Sequence, residues 1–289
     1  MQLKHYDIPH HPRKAWYGLR RNDCPAKVKE QLRRDTNKAH EIYCVSEHEF
    51  EIDCFLSILE SIEKPHINLI ECGAAWGEWC MALAGVFKYK LVPLTATSYY
   101  AVGIEGDFNY YAKMLHNFTF NHISGMPLYG AVADHGGTCR FNTGGISKQC
   151  CGGGMSFDGA FRGSKVLAYL LGIWHRLIRK SDMVLKMTID DIITDYILEN
   201  VDILHIDIQG SELLALQGAS TALQIGHIDY IMLGTHGKKM HSKSIEMLNS
   251  RYDIVAELQP GKINYFDDYC NVWASPGQDG MLVFKRKGI

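Results

Sequence analysis

Asp207 and His236 are the side chains of this sequence best placed for acid–base work. Asp207 follows the apolar run 202–206, and His236 follows a second run, 228–233, extended by Gly234 and Thr235. An imidazole titrates near neutrality, so His236 suits a general base. Gly234 and Gly237 on either side would let a ligand approach closely. Asp207 can orient an acceptor, hold an amino group or take a proton. Its plainer alternative is to cap the helix that begins near Ser211, because Asp caps well. Glu212, one turn further on, reads first as a carboxylate favoured by the helix dipole. His241 can stand in for His236, or hold a carboxylate or phosphate. His205 lies inside an apolar run and reads as a core histidine.

A second constellation precedes this pair. Glu71-Cys-Gly73-Ala74-Ala75-Trp-Gly77 ends the apolar run 67–71 and leads into a helix. Glycines at 73 and 77 allow a sharp turn and close approach to a ligand. The helix N-terminus behind them offers N–H groups and a positive dipole end, which suit a carboxylate. Glu105 follows the next apolar run, 28 residues after Gly77. A carboxylate there can accept both hydroxyls of a ribose. Asp134 follows a third run, where an adenine amino group could be bound. The dinucleotide pattern G-x-G-x-x-G fits poorly, because Ala75 stands where its second glycine belongs. An adenosine joined to an amino acid fits all three positions better, and S-adenosylmethionine is such a molecule.

These residues need a scaffold that brings the ends of several strands together. Ile52, Phe55, Leu56, Leu59 and Ile62 recur at helical spacing behind a capping-box sequence at Ser46–Glu49. Strands are then expected at 67–71, 99–104, 128–133, 202–206 and 228–233. Helices are expected at 78–87, 107–118, from Ser211, and through 244–248. Apolar strands alternating with helices mean a parallel sheet covered on both faces. The last two strand-like runs, 252–258 and 281–285, leave no room for a regular crossover helix and suit an antiparallel pair. The expectation is a doubly wound α/β domain, a mostly parallel seven-stranded sheet of the Rossmann-like class I methyltransferase plan. That domain is expected over 46–289, behind a basic arm at 1–45. A glycine-rich insertion at about 143–183 interrupts it and would suit a lid.

Beyond this pattern, the chain resembles the FkbM-type methyltransferases. The resemblance rests on Glu71–Gly77, on Met187-Thr-Ile-Asp-Asp191, on Val201-Asp-Ile-Leu-His-Ile-Asp-Ile-Gln-Gly-Ser-Glu212 and on Leu216-Gln-Gly-Ala219. It implies S-adenosylmethionine as cofactor and, usually, O-methylation of a sugar or other small hydroxyl compound. Two positions depart from the family pattern: His205 stands for a lysine and Gln209 for a glutamate. The second departure removes a carboxylate, so no metal is expected.

Composition narrows the partners. The 289 residues are 46% hydrophobic with a net charge of −2, so the whole chain is not a polyanion binder. The first 40 residues carry ten Lys/Arg against four Asp/Glu, an arm that could steer an acidic substrate or simply be solvated. Nine cysteines without a CxxC or zinc spacing suggest a reducing compartment. The first residues lack the apolar core of a signal peptide, and no apolar run spans a bilayer. A cytoplasmic enzyme without membrane contact is expected. Phe157, Phe161, Arg162 and Lys165, or Tyr265, Phe266, Tyr269 and Trp273, could select the acceptor. Two alternatives stand beside a small-molecule acceptor. One is a nucleic-acid methyltransferase using the basic arm, against which the chain shows no Asn/Asp-Pro-Pro-Tyr/Phe motif and no RNA-binding module. The other is a cofactor-binding protein without catalysis, in view of Gln209.

Overall fold

The computed structural model describes residues 47–142, 181–260 and 279–289. The basic arm, the capping box at Ser46, and both aromatic acceptor-selecting groups lie outside these residues, as does most of the glycine-rich insertion.

The chain enters through α1 (Glu47–Ser61), whose Phe55, Leu56, Ile58 and Leu59 are buried. A βαβ series follows: β1 (His66–Cys72), α2 (Glu78–Tyr89), β2 (Ser98–Glu105), α3 (Phe108–Asn121) and β3 (Gly125–Tyr129). After a short excursion come α4 (Ile189–Asp195), β7 (Val201–Ile206), α5 (Glu212–Gln217), α6 (Ser220–Ile225), β8 (Ile228–His236) and α7 (Lys238–Leu248). The chain closes with β9 (Tyr252–Leu258) and β10 (Asp279–Arg286). The main sheet runs β3-β2-β1-β7-β8-β10-β9. Its first five strands are parallel, and β10 pairs antiparallel with both β8 and β9. This is the expected architecture of five parallel strands plus a terminal antiparallel pair.

Strand periodicity divides the core into two layers. Ile67 and Leu69, Ile203, Tyr230 and Met232, and Met281 and Val283 face one layer with α1, α2 and α3. Their neighbours Ile70 and Cys72, Leu204 and Ile206, Ile231 and Leu233, and Leu282 and Phe284 face the other, with α4 to α7. A strand buried on both faces is a continuous apolar run, and β7 is buried at all six positions. Caps set two helix starts. Asp107 accepts from the N–H groups of Asn109 and Tyr110 at α3, and Thr188 forms a capping box with Asp191 at α4. At the opposite end of the sheet from the site, Lys64 pairs with Asp202 and Asp229, and Arg286 holds Asp229 through Nε and Nη2.

One expected strand is two. The run 128–133 breaks at Gly130: β3 stays in the main sheet, while β4 (Ala131–Val132) joins β5 (Gly137–Asn142) and β6 (Ser181–Met187) in a small sheet of order β4-β6-β5. Gly130 donates its N–H to Glu105 O at 3.0 Å. A Cβ there would stand 2.5 Å from Met187 Cε and 2.9 Å from Leu185 O, so only glycine permits the divergence. The strands β5 and β6 were not expected. They are antiparallel neighbours with Asn142 opposite Ser181. β6 also reclaims the end of the stretch assigned to the insertion.

Candidate active site

The carboxyl ends of β1, β2 and β7 surround a cleft lined by Gly73, Glu105, Gly106, Asp207 and Gln209 among others. Gly73 shapes it. Its φ is +79°, and a Cβ would fall 2.0 Å from Asp207 O. The turn is pinned by Gly73 and Ala74 N–H groups on Ile104 O, and by Asp207 N–H on Cys72 O. Ala75 has φ +47°, in the left-handed region that L-residues avoid. Its N–H donates to Glu105 Oε2 at 2.7 Å, which holds the turn there.

Glu105 is 7% exposed. Besides the Ala75 bond, its Oε1 accepts from Asp107 N–H at 2.7 Å. Burial raises its carboxyl to about 7, against the lowering effect of these N–H groups. Each oxygen retains a further lone pair.

Glu71 does something different from what its place in the motif suggests. It is 2% exposed and accepts from Trp79 N–H at 3.0 Å and Cys80 N–H at 2.9 Å. Gly77, the N-cap of α2, has no side chain to do this, so a carboxylate from β1 caps the helix instead. Burial raises Glu71 to about 7. The expectation of free N–H groups at this helix end is corrected accordingly: two of them already serve Glu71. Gly77, at φ +81°, packs on Met114 and Phe118.

Asp134 is not on the cleft. It is exposed and bonded to His135 at 2.7 Å, whose Nε2 accepts from Lys186 at 2.8 Å. The wall beyond Glu105 is instead apolar: Ala131, Val132 and Phe141. The Phe141 ring covers Gly106 so closely that a Cβ there would lie 2.4 Å from it. Phe141 was not legible as a site residue, because it arrives on the unexpected β5.

Asp207 and His236 do come together. Asp207 lines the cleft with its side chain 41% exposed, and its Oδ1 is 3.5 Å from His236 Nε2. Gly234 makes room, since a Cβ there would meet Asp207 Cγ at 3.3 Å. Gln209, at φ +55°, donates from Nε2 to Asp207 Oδ1 at 3.4 Å. Ser211, not Asp207, is the N-cap of α5. Glu212 is no ordinary first-turn carboxylate. It is wholly buried, and its Oε1 lies 2.7 Å from His236 Nδ1 and accepts from Gly210 N–H at 2.9 Å. Burial works against its ionisation, but His236 and the backbone outweigh it and hold the carboxyl below the usual range. Its Oε2 is buried without a hydrogen-bond partner among the described residues.

His241 is committed elsewhere, between Thr235 Oγ1 at 2.9 Å and Glu257 Oε1 at 3.0 Å. His205 is a core residue, as expected. It lies 5.3 Å from the Trp79 ring, neither ring nitrogen has a partner among the described residues, and burial lowers it to about 4.

The strand order, the glycine turn after β1 and the acid after β2 define a class I methyltransferase fold. The model of the methyltransferase FkbM domain matches residues 71–254, more than half of the chain. The chain belongs to the FkbM methyltransferase family. Family and fold together imply S-adenosylmethionine as the methyl donor. No curated protein matches the chain. Among solved structures, it is similar to a candidate class I S-adenosylmethionine-dependent methyltransferase from Listeria monocytogenes, at 10% identity and TM-score 0.44, covering 90% of this chain and 67% of that one. It is also similar to the precorrin-6y C5,15-methyltransferase of Geobacter metallireducens, at 9% identity and TM-score 0.42, covering 87% and 95%. An rRNA methylase from Streptococcus thermophilus follows at 8% identity and TM-score 0.40, covering 81% and 95%. Likenesses this distant say nothing about the acceptor. Among the described residues, no helix is long and apolar enough to cross a membrane.

Proposed function

We propose that this protein transfers the methyl group of S-adenosylmethionine to a hydroxyl oxygen of a sugar or other small metabolite. The observation that carries the reading is one cleft with a paired-N–H carboxylate, Glu105, on one wall and Asp207 beside His236 on another. The cleft fits the cofactor by its own chemistry. Gly73 lets the turn after β1 lie directly against Asp207, where a Cβ would fall 2.0 Å from Asp207 O. Glu105 would accept from the two ribose hydroxyls, and Gly73 and Ala74 would face the amino-acid end. Ala131, Val132 and Phe141 would flank the base, so Asp134 is given no share in binding it. Glu71 and Gly77 act indirectly, by fixing the start of α2. When bound, the cofactor supplies an electrophilic methyl on a sulfonium.

The protein's own part is mainly alignment, because in-line displacement rewards orientation. Asp207 and His236 are the reaction centre. They orient the acceptor's oxygen and favour loss of its proton, which a neutral hydroxyl needs to become a good nucleophile. Calorimetric titration with S-adenosylmethionine and S-adenosylhomocysteine, with NAD as control, tests the reading. Binding of the first two alone is expected, followed by S-adenosylhomocysteine release with hydroxylated acceptors and a loss of at least a hundredfold in turnover in Asp207→Asn. No binding of either compound would overturn the cofactor assignment. Turnover on RNA but on no small hydroxyl compound would overturn the acceptor class.

A further inference from the structure

The three side chains at the junction of β7, α5 and β8 form a compact ionisable group. Asp207 and Glu212 bring two carboxylates to a single imidazole, and one donor atom from each of the three residues lies within 4.8 Å of the others. His236 stands between the two acids, its Nδ1 2.7 Å from Glu212 Oε1 and its Nε2 3.5 Å from Asp207 Oδ1. One proton can bridge the first gap. It leaves Glu212 Oε2 buried without a partner among the described residues, on a side chain of no exposure. An oxygen in that condition is unfavourable unless something else meets it.

We propose that Asp207, Glu212 and His236 hold a divalent cation. The cation would sit among one oxygen of each carboxylate and one ring nitrogen of His236, and would give Glu212 Oε2 the partner it lacks. Metal–ligand bonds of about 2.0–2.2 Å put donors roughly 3–4 Å apart, so the group needs a turn of the His236 ring that brings one nitrogen to both carboxylates, and a contraction from up to 4.8 Å. Asp207 can supply much of it, because its side chain is 41% exposed and rooted beside Gly234. Two carboxylates and one imidazole suit Mn²⁺ or Zn²⁺ better than Mg²⁺, which prefers an all-oxygen shell. Three protein ligands leave positions open to the cleft for an acceptor's oxygen, whose proton a bound cation makes easier to lose. The earlier expectation of no metal weighed only the segment containing Gln209. His236 comes from another strand and fills the ligand set without a carboxylate at 209.

The role in catalysis rests on the acceptor docking here, but the site itself does not, and it is tested by binding. The full chain, stripped of metal, is titrated with Mn²⁺ by calorimetry, and the bound ion is examined by pulsed electron paramagnetic resonance. One Mn²⁺ per chain is expected, with coupling to one imidazole nitrogen. Affinity should fall at least tenfold in Asp207→Asn, Glu212→Gln and His236→Gln, and stay unchanged in His116→Ala, an exposed histidine on α3. The nitrogen coupling should vanish in His236→Gln. No Mn²⁺ or Zn²⁺ binding by the folded wild type, no nitrogen coupling, or binding indifferent to all three variants would overturn the proposal. S-adenosylmethionine binding, measured on the same metal-free samples, separates the two readings. Cofactor binding without metal binding leaves the methyltransferase reading standing alone, and metal binding without cofactor binding does the reverse.

Discussion

Replacing Glu105 by Gln tests the cofactor wall most directly. In the free protein each carboxylate oxygen accepts one backbone N–H at 2.7 Å, from Ala75 and from Asp107. The remaining lone pairs are what a ribose diol would use. Glutamine keeps the shape but replaces one oxygen by an NH₂, which then confronts an N–H donor. One hydroxyl loses its acceptor, and the other loses a charged one. Hydrogen bonds to charged groups contribute about 1.5–3 kcal/mol each, so the loss should be about 3 kcal/mol, or roughly a hundredfold in affinity. The pH dependence is a second, independent signature. Glu105 titrates at about 7 in the free protein, and hydroxyl donors favour its ionised form. Cofactor binding should therefore expel a proton below that pH. Wild-type affinity should fall by about tenfold between pH 8 and pH 6, and the Gln variant should lose that slope. Calorimetry at three pH values, in buffers of different ionisation enthalpy, reads both affinity and proton release. Equal affinity in the two proteins, or an unchanged pH slope in the variant, would refute the assignment of Glu105.

Two other substitutions probe stability. His205 is held neutral by burial, with its pKa lowered from 6.5 to about 4. The unfolded chain takes up a proton below pH 6.5 and the folded one does not, so this group's contribution to stability falls with pH through that window, by up to about 3 kcal/mol near pH 4. Glu71 and Glu105, raised by burial to about 7, act with the opposite sign between 4.5 and 7. The His205 contribution must therefore be read as the difference between wild type and His205→Leu in denaturant melts at pH 7 and pH 4.5. A difference that does not change with pH would show that His205 is not held neutral. Glu71→Ala should cost about 2–4 kcal/mol, because two N–H groups at the start of α2 lose their acceptor in a buried place. A melting midpoint within a degree of wild type would remove Glu71 from that role.

The sheet was legible because burial on both faces leaves continuous apolar runs, and the β1, β2, β7 and β8 sequences carry that mark plainly. The terminal antiparallel pair was legible from the lack of a crossover helix. β5 was not, since Gly137-Thr-Cys-Arg-Phe-Asn142 is short and mixed, and 38 residues separate it from its partner β6. Strand pairing at such a distance leaves no local signal, and with β5 went Phe141. Spacing along single strands placed Asp207 and His236 at sheet ends, and the register of β7 on β8 explains their meeting. Glu212 was underestimated for the same reason. Its partner is 24 residues away, and first-turn acids are usually solvated.

Glu71 and Glu105 show why motif position alone does not assign a role. They end adjacent strands, both are nearly buried, and burial raises both to about 7. What separates them is where their donors come from. Both of the Glu71 donors belong to one helix turn, so its two oxygens are consumed in starting α2. The Glu105 donors come from two separate loops, Ala75 after β1 and Asp107 after β2, so its carboxylate ties the walls of the cleft together while still lining it. Removing Glu71 should therefore show first in the melt and only through it in cofactor affinity. Removing Glu105 should show in affinity at temperatures where the fold is intact. If both variants lost affinity in proportion to their stability, the two acids would be playing one structural part, and the ribose assignment would have to move elsewhere on the cleft.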